Sequence, residues 1–126
     1  MSKEHIYLGQ SGEEVAIDLL KKNGYKILVK NYRTKLGEID IVARDKDTTC
    51  FIEVKTRQTE KFGLPQEAVF RSKQKKISKV AIKFLKDNNL LDKKARFDVV
   101  SVMYKEGIPK IDLIKNAFEL EGEYAL

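Results

Sequence analysis

The sequence is short of the residues on which most nucleophile and transition-metal chemistry relies. It holds one cysteine, Cys50, which excludes an internal disulfide and a cysteine-based zinc site. Its one histidine, His5, excludes histidine-dependent triads and histidine metal clusters. Any metal would have to be held by oxygen, the preference of Mg²⁺ or Mn²⁺. No apolar run nears the roughly 20 residues needed to span a bilayer. The amino-terminal MSKEHIYLGQSGEE is polar where a signal peptide has its apolar core. The expected compartment is therefore the cytoplasm, with no membrane partner. Pro65 and Pro109 are the only prolines, and no repeat, low-complexity tract or linker breaks the chain. Residues 1–126 are expected to form one domain.

Charge is what the chain has in quantity. Charged residues make up 35% of it beside 42% hydrophobic ones, the balance of a soluble globular protein with a heavily charged exterior. The net charge of +6 is unevenly distributed. Between Arg71 and Lys94 nine lysines and arginines face only Asp87 and Asp92, a net +7, which leaves the rest at about −1. A footprint for an anionic polymer has this form, and so does a lysine-rich solvated helix face.

SGEEVAIDLLKKNG reads as a first helix, capped by Ser11 with Glu14 completing a capping box and Gly24 ending it. Three strands follow in YKILVKNYRT, GEIDIVAR and TTCFIEVKTR. A loop with Gly63 and Pro65 leads to a second helix, QEAVFRSKQKKISKVAIKFLKD. The strands ARFDVVSVMY and PKIDLIKNAF are joined by a KEGI turn. The order α-β-β-β-α-β-β predicts an α/β fold, a mixed sheet of about five strands flanked by two main helices.

Within the second and third strands, charged residues interrupt core-like sequence. Alternation places Glu38, Asp40 and Val42 on one face, opposite Ile39, Ile41 and Ala43, and groups Phe51, Glu53 and Lys55. A two-residue turn at Lys46-Asp47 pairs 45 with 48, 42 with 51 and 40 with 53. Asp40 then faces Glu53 with Cβ atoms ~5 Å apart. Two carboxylates so close repel unless a cation lies between them. A divalent ion does this, and with Lys55 beside it the cluster suits phosphodiester hydrolysis. A surface cross-strand ion network fits the same residues.

Two helical positions bear on the choice. Glu13 lies on the rim of the apolar arc formed by Val15, Ala16, Ile17, Leu19 and Leu20, within reach of a site beside the sheet; a first-turn acid favoured by the helix dipole also accounts for it. On the second helix Lys73 and Gln74 interrupt the apolar stripe of Phe70, Ile77, Val80, Ala81 and Phe84, facing inward near its start. Lys75, Lys79 and Lys86 point outward. Buried Cys50 reads as a small core residue.

The spacing of Asp40 and Glu53-Val54-Lys55 resembles the PD-(D/E)XK nuclease superfamily, with its restriction-endonuclease-like fold. GEEVA, NYR, GEIDIVA, FIEVKTR, FG, SKQKKI, RFDVV and AF together resemble the YraN-like family of small bacterial proteins, held to be related to Holliday-junction resolvases. The resemblance implies that Asp40 and Glu53 bind Mg²⁺ or Mn²⁺, with the backbone carbonyl of Val54 as a further ligand. It makes Lys55 the lysine of the catalytic element and Glu13 the first-helix glutamate. Arg57, Lys73, Gln74 and Lys76 would approach the nucleic-acid phosphates. The motif's proline is replaced by Ile39, and Ser78 stands where a tyrosine is usual. The implied function is a metal-dependent nuclease, an endonuclease on structured or branched DNA rather than RNA, dimeric if junctions are the substrate. A non-catalytic nucleic-acid binder of the same fold and a protein-binding adaptor are the alternatives.

Overall fold

The first helix begins where the cap was predicted. The structure, a computed structural model, describes residues 11–57 and 71–118. Helix α1 (Gly12–Lys22) starts with the Glu14 N–H donating to Ser11 Oγ at 3.1 Å. It ends in a Schellman turn: the Tyr25 N–H donates to Leu20 O and the Gly24 N–H to Lys21 O, with Gly24 at φ +86°. That turn drops Tyr25 into the core, 4% exposed.

The remaining elements are β1 (Lys26–Thr34), β2 (Gly37–Asp45), β3 (Thr48–Arg57), α2 (Arg71–Asp87), β4 (Ala95–Lys105) and β5 (Ile108–Phe118). The strands form one sheet in the order β1-β2-β3-β4-β5. All neighbours are antiparallel except β3 and β4, which run parallel. A parallel pair needs a crossover, and α2 lies in that connection. Glu106 and Gly107 both take left-handed φ, +53° and +79°, giving the β4–β5 hairpin a turn whose twist matches its strands. The predicted fold class is the observed one. The start of the second helix, with Phe70, and the loop with Gly63 and Pro65 lie outside the described residues. Among the described residues no helix is long and apolar enough to cross a membrane.

The sheet separates two apolar clusters. Val15, Ala16, Ile17 and Leu20 of α1 pack on Ile41, Ile52 and Val100, while Ile77, Val80, Ala81 and Phe84 of α2 pack on Val42, Phe51 and Val99. Adjacent residues Phe51 and Ile52 thus serve opposite faces, as the pleat requires.

The predicted alternation fails at one point. Ile39 does not join Ile41 and Ala43 on the α1 side but packs with Val42 on the α2 side. The cause is local. Asn31, across from Asp40 between the pairs Lys30↔Ile41 and Tyr32↔Ile39, has φ +52°, and β1 shifts register between Ile27 and Val29. The β2–β3 ladder follows the predicted register from Asp45↔Thr48 to Ile41↔Ile52 and goes no further. Instead of a backbone bond, the Val54 N–H meets the Asp40 carboxylate.

Candidate active site on the α2 face

Asp40 sits where β2 leaves its partner strand, and its Oδ2 accepts the Val54 N–H at 2.8 Å. The bond pins the carboxylate beside Glu53. Glu53 is on β3 between the apolar Phe51 below it and Lys55 above it, paired laterally with Val99 of β4. It is only 3% exposed. Burial and the neighbouring negative charge of Asp40 push its carboxyl up to about 8, although Lys73 and Lys55 pull the other way. Among the described residues Glu53 Oε1 has no hydrogen-bond partner. Glu53 Oε2 faces Lys73 Nζ, at 3.5 Å.

The two lysines differ in how they carry charge. Burial lowers the pKa of Lys55, and the adjoining Lys73 lowers it further. At Lys73 burial works against the charge, but contact with Lys55 and the carboxylates of Glu53 and Asp40 outweigh it and raise the pKa. The two lysine side chains thus adjoin each other beside the carboxyls of Asp40 and Glu53.

Asp40, Glu53, Lys55 and Lys73 thus come together. Val54 contributes its peptide and is half-buried. Gln74 and Arg57 are half-buried, and Lys76 is exposed. Glu13 lies on α1, where its Oε1 accepts Asn31 Nδ2 at 3.0 Å. Among the described residues no three of His, Cys, Asp or Glu converge, so Glu13 does not complete a triad with the other two. Asn31, on β1, stands opposite Asp40 of the neighbouring strand β2. Gly12 explains how closely α1 approaches: a Cβ there would collide with the Thr56 side chain on β3.

A second charged cluster on the α1 side had no predicted role. Asp98, fully buried, accepts from Arg96 Nε at 2.8 Å, from the Tyr25 hydroxyl at 3.0 Å and from the Asn116 N–H at 2.9 Å. Arg96 also reaches Asp45 at 2.9 Å, and Lys115 meets Asp45 at 3.4 Å. The signal in the sequence is two charged residues spaced by two within the apolar run ARFDVV. Every partner is satisfied, and the cluster fastens β2, β4 and β5 to the start of β1. Beside it, burial and the Asp98 charge push the Cys50 thiol up to about 12, away from the reactive thiolate form.

The raised Glu53 carboxyl has a measurable consequence. A folded-state pKa of about 8 against an ordinary 4.5 means protonated Glu53 is the form the fold favours. Its contribution is complete below pH 4.5 and is lost as pH rises through 8. Without divalent ions, Glu53→Gln is expected to match the parent at pH 5 and exceed its stability at pH 9 by on the order of 3 kcal/mol. Urea denaturation at the two pH values measures this.

Fold and site define a class: a five-stranded α/β protein with two carboxyls and two lysines gathered between the sheet and α2. The chain belongs to the family described as Uncharacterised protein family UPF0102, whose profile matches residues 12–102. A UPF0102 protein of Syntrophus aciditrophicus is 49% identical over 117 residues, covering 93% of this chain and 92% of that protein. One from Geobacter metallireducens is 48% identical over 120 residues, 95% and 98% of the two chains. One from Caldicellulosiruptor saccharolyticus is 49% identical over 113 residues, 88% and 96% of the two.

Proposed function

We propose that the chain is a Mg²⁺- or Mn²⁺-dependent nuclease of the PD-(D/E)XK type, cleaving phosphodiester bonds in nucleic acid. The observation that carries this reading is the state of Glu53: buried, set beside Asp40, and with Oε1 unpartnered among the described residues. A protein normally avoids a buried carboxyl held against a second one with an oxygen left open, since each such group costs on the order of 1–3 kcal/mol. An oxygen-seeking divalent ion fits that donor set.

Asp40 and Glu53 would hold the ion, with the Val54 carbonyl as a third oxygen. When bound, it would neutralise phosphate oxygens and lower the pKa of the attacking water. Lys55, beside both carboxyls, orients that water. Lys73 and Gln74 approach the phosphate from α2, Arg57 approaches it from the end of β3, and exposed Lys76 meets the neighbouring backbone. Glu13 acts at one remove, through Asn31. No histidine is needed. A pure nucleic-acid binder gains nothing from two acids facing a polyanion, which is why cleavage is favoured over binding alone. Structured or branched DNA is the substrate to which the superfamily resemblance points, acted on endonucleolytically by a two-fold dimer that sets one site on each strand.

The test is incubation with branched, duplex and single-stranded DNA and with RNA, in Mn²⁺ or in EDTA. Cleavage dependent on Mn²⁺ is the expected result. Salt-sensitive binding with no cleavage of any substrate would contradict the proposal and leave a non-catalytic binder.

A further inference from the structure

Lys73 stands 3.5 Å from Oε2 of Glu53 on a side chain that is still 42% exposed. Its ammonium also touches Lys55 and feels the charge of Asp40. The other oxygen of Glu53, Oε1, is buried and has no hydrogen-bond partner among the described residues. The carboxyl group therefore has a cation at one oxygen and an unpartnered second oxygen.

Resting on the reading of Asp40 and Glu53 as an ion-binding pair, we infer that Lys73 is a positioning residue that makes ion binding and phosphate binding cooperative. In the free protein its ammonium faces Oε2 of Glu53 at 3.5 Å. A divalent ion arriving at Oε1 meets this like charge a few ångströms away, in surroundings poorer in water than bulk solvent, and the repulsion weakens binding by more than about tenfold. A lysine on a flexible, half-exposed stem has an alternative: it can turn to a substrate phosphate. The phosphate then cancels the charge that opposed the ion. Each ligand thus raises the affinity of the other by the same factor. The site stays largely unloaded until nucleic acid arrives, and α2, which carries Lys73, is the element that reports its arrival.

The experiment titrates Mn²⁺ into the protein and follows the electron paramagnetic resonance signal of free ion. It is run with and without a duplex oligodeoxynucleotide whose linkages are phosphorothioates, so that binding is read without turnover. The parent is expected to bind Mn²⁺ at least about tenfold more tightly when the oligonucleotide is present. Lys73→Met is expected to bind Mn²⁺ about tenfold more tightly than the parent in its absence and to gain little from adding it. Lys73→Arg, which keeps the charge, should behave as the parent, and Lys73→Gln should repeat the methionine result with a polar side chain. Unchanged or weaker Mn²⁺ binding by both neutral variants, with the oligonucleotide effect intact, would overturn the coupling while leaving the ion site standing. No Mn²⁺ binding by any of the proteins, with or without oligonucleotide, would overturn the ion site itself and the coupling with it.

Discussion

Arg96→Met is expected to destabilise the protein by about 3–5 kcal/mol, the penalty for leaving a buried charge without its partner. Asp98 is inaccessible to solvent and takes two of its contacts from the Arg96 guanidinium, through Nε at 2.8 Å and a terminal nitrogen at 3.1 Å. The Tyr25 hydroxyl and the Asn116 N–H would remain, but neither carries a full charge. Asp45 would keep Lys115 at 3.4 Å and lose the closer bond. The contacts with Asp98 and Asp45 raise the pKa of Arg96 further despite its burial, so the cation is always present to be lost. Urea denaturation at neutral pH reads the change. The double variant Arg96→Met with Asp98→Asn should lose less than Arg96→Met alone, because it also removes the charge that was stranded. A double variant as unstable as the single one would mean that the guanidinium acts by packing rather than by pairing.

Asp40→Asn is the second large effect, and its two consequences run in opposite directions. An asparagine can keep the bond from the Val54 N–H, now at 2.8 Å, so the strand junction is preserved. The negative charge goes. Ion-dependent cleavage should fall at least about 10³-fold, since several kcal/mol of charge stabilisation at the phosphate depend on the ion's being held. In the ion-free protein the same substitution should increase stability above pH 8, because the Asp40 charge is one of the causes holding Glu53 up at about 8. Activity lost while stability is gained is the signature of a residue kept for function. Activity and stability lost together would make Asp40 a structural hydrogen-bond acceptor and nothing more.

Much of this architecture is written locally. Ser11, Gly24 and the Lys46-Asp47 turn act over a few residues, so the ends of α1 and the register of the β2–β3 hairpin follow from neighbours in sequence. That register carries Asp40 toward Glu53, but the ladder ends at Ile41↔Ile52, the predicted pair of 40 with 53 does not form, and the Val54 N–H to Asp40 bond sets the final approach. The face of Ile39 does not follow from the register, because the break at Asp40 depends on the left-handed Asn31 in β1 and on a side chain replacing a ladder bond. The Arg96–Asp98 cluster was half legible. Two charges in an apolar strand announce buried partners, but Tyr25, Asp45, Lys115 and Asn116 come from segments far apart in the chain. The inward position of Lys73 on α2 predicts contact with a bound phosphate or with the carboxylate cluster, and the structure shows the second. Its ion pair with Glu53 depends on how the helix docks on the sheet, which helical periodicity alone does not report.

Crystals soaked in Mn²⁺ and measured for anomalous scattering give the most direct view of whether Asp40 and Glu53 share an ion. The expected map has one peak in contact with both carboxylates, Oε1 of Glu53 among its ligands, and loses that peak in Asp40→Asn. Millimolar Mn²⁺ that leaves no peak there, with Glu53 still paired to Lys73 alone, would contradict the account.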